Sequence, residues 1–214
     1  MARRLTTTSY AILGLLATGP MSAYDLANQF HRSMRWAWPT SLTHLYSEPK
    51  KLVAAGLARA EKAPAGPRRT RTEYRITAAG RRALARWLAT PPAAPELNNE
   101  GMLRLAFADS GSIDDLLASL DHLAATVTEQ YREGLEQVEG FLVDGGPHPE
   151  RLHLIALASE YHSRFMETYL DWIAAARAEA ESWPATKDVG LTPAGRARLA
   201  AILDRSRERV EGGS

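Results

Sequence analysis

The sequence predicts a mainly α-helical protein in two parts, and three observations predict it. Apolar residues recur at helical spacing through most of the 214 residues. One pair of short alternating segments, 57–63 (LARAEKA) and 71–77 (RTEYRIT), breaks that pattern. A proline-rich stretch, TPPAAPEL, then separates everything before it from a remainder that reads as helix throughout. Charge divides at the same place. Residues 1–90 hold 15 Lys+Arg against 4 Asp+Glu, and residues 91–214 hold 11 against 21, so the net charge of +1 conceals a basic half and an acidic half. Either the halves attract each other or the basic half meets a polyanion.

The elements of the first part follow in order. Thr7-Thr8-Ser9 offers a cap ahead of an apolar face of Tyr10, Ile12, Leu13, Leu15 and Leu16, and Gly19-Pro20 ends that helix. Ser22 caps a second helix over 23–31, with Tyr24, Leu26, Ala27 and Phe30 available for packing. After the looser SMRWAWP comes a third helix over about 40–55, ended by Gly56. At about 100° per residue, Leu42, Leu45, Tyr46, Leu52 and Val53 share one arc of it. Thr43, Ser47 and Lys50 share the opposite arc, flanked by Thr40, His44 and Lys51, while Glu48 falls at the edge of the apolar arc. Pro49 lies inside that arc, where it removes one N–H and crowds the carbonyl of Leu45 at a cost of about 3 kcal/mol. Either one helix continues through Pro49 with a kink, or a second helix starts there; the unbroken apolar register favours the first. The two alternating segments form a hairpin whose turn, PAGPRRT, carries Arg68 and Arg69. Thr77 caps a fourth helix over 78–89, with Leu84, Trp87 and Leu88 turned inward.

Helix, helix, helix, strand, strand, helix is the order of a winged helix-turn-helix domain, here residues 1–90. The hairpin is the wing and the third helix is the one that enters a DNA major groove. Small hydroxylated side chains let a helix lie deep in a groove, and flanking cations neutralise phosphates. The candidate DNA-binding residues are Thr40, Ser41, Thr43, His44, Ser47, Lys50 and Lys51 on the helix and Arg68, Arg69 and Arg71 on the wing.

A resemblance points the same way. AILGLLATGPMSAYDLANQF resembles the opening of the PadR family of transcriptional regulators. LTHLYSEPKKLVAAGLARAE, followed by PRRTRTEYRITAAGRRAL, is similar to that family's recognition helix, wing and following helix. The likeness covers residues 9–90. It rests on the small-residue turn before Tyr24, the Leu45-Tyr46 pair, Ala55-Gly56-Leu57, and Tyr74-Arg75-Ile76-Thr77 leading to Gly80. It implies a DNA-binding regulator, with Tyr24 and Tyr46 as phosphate-contact or packing residues, packing being the favoured role for Tyr46. The wing departs from the family in carrying Pro-Ala-Gly-Pro where a simple glycine turn is usual.

Beyond a linker over 91–98, residues 99–214 read as a helical domain. Asn98-Asn99-Glu100 opens a helix to Ala108, and Ser112 with Asp115 starts a long one over about 113–142. Gly145-Gly146-Pro147 breaks it, another runs over about 149–182, and Thr192-Pro193 starts the last. Such long helices leave apolar stripes exposed unless a partner covers them. The layout resembles the longer PadR subfamily, which implies a homodimer made by these helices. Trp172 and Trp183 are candidates for an effector pocket, as are Trp36 and Trp38 just before the recognition helix, with packing the commoner role for all four. ITAAGRRALARWLA and LTPAGRARLAAILD echo each other, and the reading is two similarly capped helices, since nothing like a recognition helix precedes Leu191.

Enzyme chemistry finds no support. There is no cysteine, so no thiol nucleophile or cysteine metal site. His148, His153, His162 and Glu160 lack metal-binding spacing, and Asp114-Asp115 stands at a helix start, where carboxylates complement the dipole. No phosphate-binding glycine loop or nucleophile elbow is present. No catalytic residue, metal or cofactor is expected. No apolar run reaches the roughly 20 residues of a membrane span, so no membrane contact and a cytoplasmic location are expected. The partners expected are double-stranded DNA, a second copy of the chain and a small-molecule effector, in a repressor on a two-fold operator. The alternatives are a winged-helix protein-interaction module and a small-ligand-binding helical protein.

Overall fold

The computed structural model describes residues 5–66, 69–146 and 148–212. The chain divides into two compact units, residues 1–95 and 96–214.

The first unit begins with α1 (Thr7–Thr18). Its cap is Thr6, one residue before the run named above. The Thr6 hydroxyl accepts from the Ser9 amide at 3.2 Å, and the Ser9 hydroxyl accepts from the Thr6 amide at 3.0 Å. That reciprocal pair satisfies two otherwise orphaned donors. It draws Thr8 and Ser9 into the helix, where both are buried. A strand β1 (Met21–Ser22) follows, too short to carry any alternation and so missed from the sequence. Ser22 then caps α2 (Ala23–Ser33) through a box with Asp25. Next come α3 (Leu42–Ala54), β2 (Ala58–Pro64), β3 (Thr70–Ile76) and α4 (Ala78–Leu88). The sheet is antiparallel in the order β1-β3-β2, with Ala58 opposite Ile76, Pro64 opposite Thr70 and Met21 opposite Tyr74.

Ile12, Leu13, Leu15 and Leu16 of α1 form the centre of the core. Leu26, Ala27 and Phe30 of α2, Leu45 and Leu52 of α3, and Ala58 and Tyr74 of the sheet close around them. The start of α4 is pinned to the α3–β2 corner. The Thr77 amide donates to the Leu57 carbonyl at 3.0 Å and its hydroxyl to the Gly56 carbonyl at 2.8 Å. A Cβ at Gly80 would stand 2.1 Å from the Leu57 carbonyl oxygen, so only glycine permits this approach. Close packing there turns Gly80 and Ala83 inward. Trp87 and Leu88, both expected inward, are exposed; Trp87 stacks on Tyr10 at 4.9 Å.

The second unit contains α5 (Glu100–Ala106), α6 (Ile113–Asp144), α7 (Leu152–Ala180) and α8 (Pro193–Glu211), with short 3-10 turns at Ala108–Ser110 and Pro149–Arg151. The Ser112–Asp115 box starts α6, and Gly145, at φ 75°, ends it. α6 and α7 run antiparallel, as Asp121–Arg177 and the Tyr131–Glu167 hydrogen bond at 2.6 Å establish. Leu116, Leu120 and Val127 meet Met166, Ile173, Ala176 and Ala180 along the seam. α8 has no buried residue and is tied to α7 through Glu179, which receives Thr192 at 3.2 Å and Arg198 at 2.6 Å. The internal echo amounts to shared capping: Thr77 accepts from the Gly80 amide and Thr192 from the Gly195 amide. Among the described residues, all three strands belong to the first unit.

Candidate nucleic-acid interface

α3 runs unbroken through Pro49, which is fully buried, so no second helix starts there. The helix begins later than expected. Ser41 is the N-cap, its hydroxyl accepting from the His44 amide at 3.3 Å, and Thr40 precedes it with its hydroxyl 3.5 Å from His44 Nδ1. Both therefore flank the helix end and do not lie along its face. Leu45, Glu48, Pro49 and Leu52 face the core, an i, i+3, i+4, i+7 set. Centred on them, the wheel puts Leu42 and Tyr46 on the rim, where they are 56% and 40% exposed; neither is the core residue the apolar pattern suggested. The face opposite the core carries Thr43 and Lys50, both exposed, and the half-buried Ser47, whose hydroxyl donates to the His44 carbonyl at 3.0 Å.

Glu48 is 3% exposed, well inside the edge position the pattern gave it. Its Oε1 accepts from the Ser9 hydroxyl at 2.5 Å. Its Oε2 lies 2.9 Å from Lys51 Nζ and 3.4 Å from His44 Nε2. Burial pushes the carboxyl up, but hydrogen bonds from Ser9 and Lys51 and the charges of Lys51 and His44 outweigh it, and the group titrates below its ordinary value. Lys51 is thus drawn to a carboxylate, a partner the sequence reading did not give it.

Arg71 is also engaged within the unit. Its guanidinium lies 2.8 Å from Glu73 and 3.4 Å from Asp25, which ties β3 to the first turn of α2. Arg59 and Arg75, directly opposite across the hairpin, share Glu61 at 2.8 Å each. Arg69 is exposed at the hairpin end, closed by the Ala65 amide on its carbonyl at 2.8 Å. Arg68 lies outside the described residues. Tyr24 is exposed on the first turn of α2.

The tryptophans fall in two places. Trp36 donates to the Ser33 carbonyl and Trp38 to the Thr8 hydroxyl, each at 3.0 Å, so both brace the α2–α3 connection. Trp172 stacks on Tyr169 at 5.6 Å, and Trp183 packs against the same α6–α7 cluster. An open cleft of about 550 Å³ beside α5 and α6 is lined by Leu103, Phe107, Leu116 and Arg104 among others, and by neither tryptophan. Among the described residues, no group of three or more His, Asp or Glu is placed to hold a metal ion, and no helix is long and apolar enough to cross a membrane.

Residues 12–86 match the transcriptional regulator PadR-like family. The negative transcriptional regulator PadR of Bacillus subtilis is 32% identical over 99 residues, 46% of this chain and 54% of that protein. The chain thus spans about half the length of the curated relative it matches. Bacillus subtilis PadR in complex with operator DNA has a similar fold, at TM-score 0.67 and 23% identity over 82% of this chain and 99% of that one. A protein from Streptococcus mutans is similar at TM-score 0.72 and 19% identity over 81% and 99%. At these identities the likeness is one of fold: a winged helix-turn-helix followed by long helices. Residues 12–86 therefore carry a domain of the PadR-like family of transcriptional regulators, and the assignment extends to that stretch of the chain.

Proposed function

We propose that the chain is a sequence-specific DNA-binding repressor that acts in the cytoplasm as a homodimer on a two-fold operator. The observation that carries this reading is the outer face of α3: Thr43, Ser47 and Lys50 point away from the core, and the helix's one acidic side chain is buried behind them. Leu42 and Tyr46, on the rim, extend the interface with apolar surface suited to a thymine methyl. Tyr24, Arg68 and Arg69 meet phosphates. Arg71 and Lys51 do so while shared with carboxylates, so their share of the phosphate attraction is smaller than that of Lys50. Dimerisation belongs to residues 96–214, where Leu142, Val143, Leu157 and Leu203 are exposed. For release by an effector, the support is that Bacillus subtilis PadR has been crystallised with p-coumaric acid. Trp183, whose buried Nε1 has no acceptor among the described residues, is the residue to follow by fluorescence on adding that acid.

Titration of the full chain against duplex DNA tests the reading. Affinity falls steeply between about 50 and 200 mM salt, because each phosphate contact releases counterions. Binding that ignores salt, or no binding, would turn the reading to a protein-interaction module.

A further inference from the structure

Among the described residues, three polar side chains are buried: Thr8, Ser9 and Glu48. All three lie where the first turn of α1 meets α3 and the segment leading into it. Thr8 holds Trp38, three residues before the α3 cap, at 3.0 Å. The Ser9 hydroxyl accepts from the Thr6 amide at 3.0 Å and donates to Glu48 Oε1 at 2.5 Å. One hydrogen-bonded line therefore runs from the cap of α1 into the middle of α3. From the other carboxylate oxygen it continues to Lys51 at 2.9 Å, and His44 Nε2 lies 3.4 Å from the same oxygen.

A helix that only needed to pack would carry an apolar residue at position 48. A buried carboxylate is costly unless fully partnered, and replacing such groups by apolar ones is often neutral for stability. Apolar packing, however, loses uniqueness of position before it loses stability. Directional bonds on both oxygens of Glu48 restrict what packing leaves loose, the rotation of α3 about its axis. That rotation matters because a turn of about 20° moves a side-chain tip roughly 5 Å from the axis by about 2 Å, whereas recognition needs about 0.5 Å. His44 and Lys51, four residues before and three after, lie on the flank that Glu48 commands and border the outer face.

We propose that Glu48 is a positioning residue for DNA reading: bonded to Ser9 of α1, it sets the rotation of α3 and aims Lys51 and His44 along its flank. Glu48 touches no DNA itself. The proposal rests on the DNA-binding reading above, and its test separates the two. The probe is the duplex that the full wild-type chain enriches from a random-sequence pool, compared with a scrambled duplex of the same composition. The readout is the ratio of the two dissociation constants, taken well below each variant's melting temperature. Glu48→Gln removes the charge that holds Lys51, and Ser9→Ala removes the donor from α1. Thr6→Ala is the control, because it breaks the same helix cap yet leaves the Ser9–Glu48 bond. Glu48→Gln and Ser9→Ala should each lower the ratio about tenfold, the size of one mismatched base pair. Thr6→Ala should lower the melting temperature and keep the ratio. If Glu48→Gln and Ser9→Ala melt earlier but keep the wild-type ratio, or if Thr6→Ala loses it equally, the positioning role is overturned while the DNA reading stands. A wild-type chain that enriches no sequence overturns the DNA reading and this role with it.

Discussion

In the first unit four aliphatic side chains of one short helix, Ile12, Leu13, Leu15 and Leu16, are all covered. In the second, Leu142, Val143, Leu157 and Leu203 of far longer helices stand exposed. The contrast is geometric. Around α1, three more helices and a sheet approach from several sides, so its apolar surface is enclosed. Two antiparallel helices cover only the seam between them, and α8 buries nothing. The first unit is complete as a core; the second presents apolar surface of the kind that marks an interface. The proposed division of labour, reading in the first and assembly in the second, rests on this contrast.

The largest effect should come from separating the units. Residues 1–95 alone should fold as a monomer and bind operator DNA about 10²–10⁴-fold more weakly than the full chain, since linked half-sites are lost. Sedimentation and fluorescence anisotropy of both proteins measure this. A fragment that dimerises and binds as tightly as the whole would end the comparison.

Next is Gly80→Ala. The added methyl meets the Leu57 carbonyl at 2.1 Å, so the corner must shift, at about 3 kcal/mol by the scale of overpacked cores. Amide exchange should show the loss in α1–α4 and leave α6 and α7 protected. Equal loosening of both units would mean that their stabilities are coupled.

A smaller effect concerns pH. The Glu48 carboxyl is depressed in the folded chain, so its contribution is present above the ordinary value of 4.5 and is lost as pH falls through the lower folded value. Glu48→Gln should therefore flatten the acid-side loss of protection in α1 and α3 while leaving that of α6 and α7 unchanged. An unaltered acid limb in α3 would show that Glu48 does not govern it.

The smallest effect on stability should come from Lys50→Ala, within about 0.5 kcal/mol, as for other exposed positions. Its mark should appear in binding, as a salt slope shallower by about 1 for operator and random duplex alike. A slope unchanged from wild type would remove Lys50 from the interface.

Sequence alone determined the main helices, the hairpin and their order, because helical and strand periods, caps and turn residues act over a few neighbours. Ser22, Thr77, Ser112 and Thr192 announce four helix starts, and Thr43 and Lys50 follow from angle along one helix. Tertiary structure decided which side chains find one another. The apolar stripe of α3 suggested Leu42 and Tyr46 as core, yet the neighbours that α1 and α2 supply centre the buried arc on Leu45, Glu48, Pro49 and Leu52. Glu48 reads as an edge acid until Ser9, 39 residues away, is brought to its oxygen. Arg71 reads as a wing cation until β3 lies beside Asp25, and β1 exists only because β3 is there to pair with it. Local pattern fixes what each segment becomes; the partner of a buried charge or a short strand depends on distant chain, and no period records it.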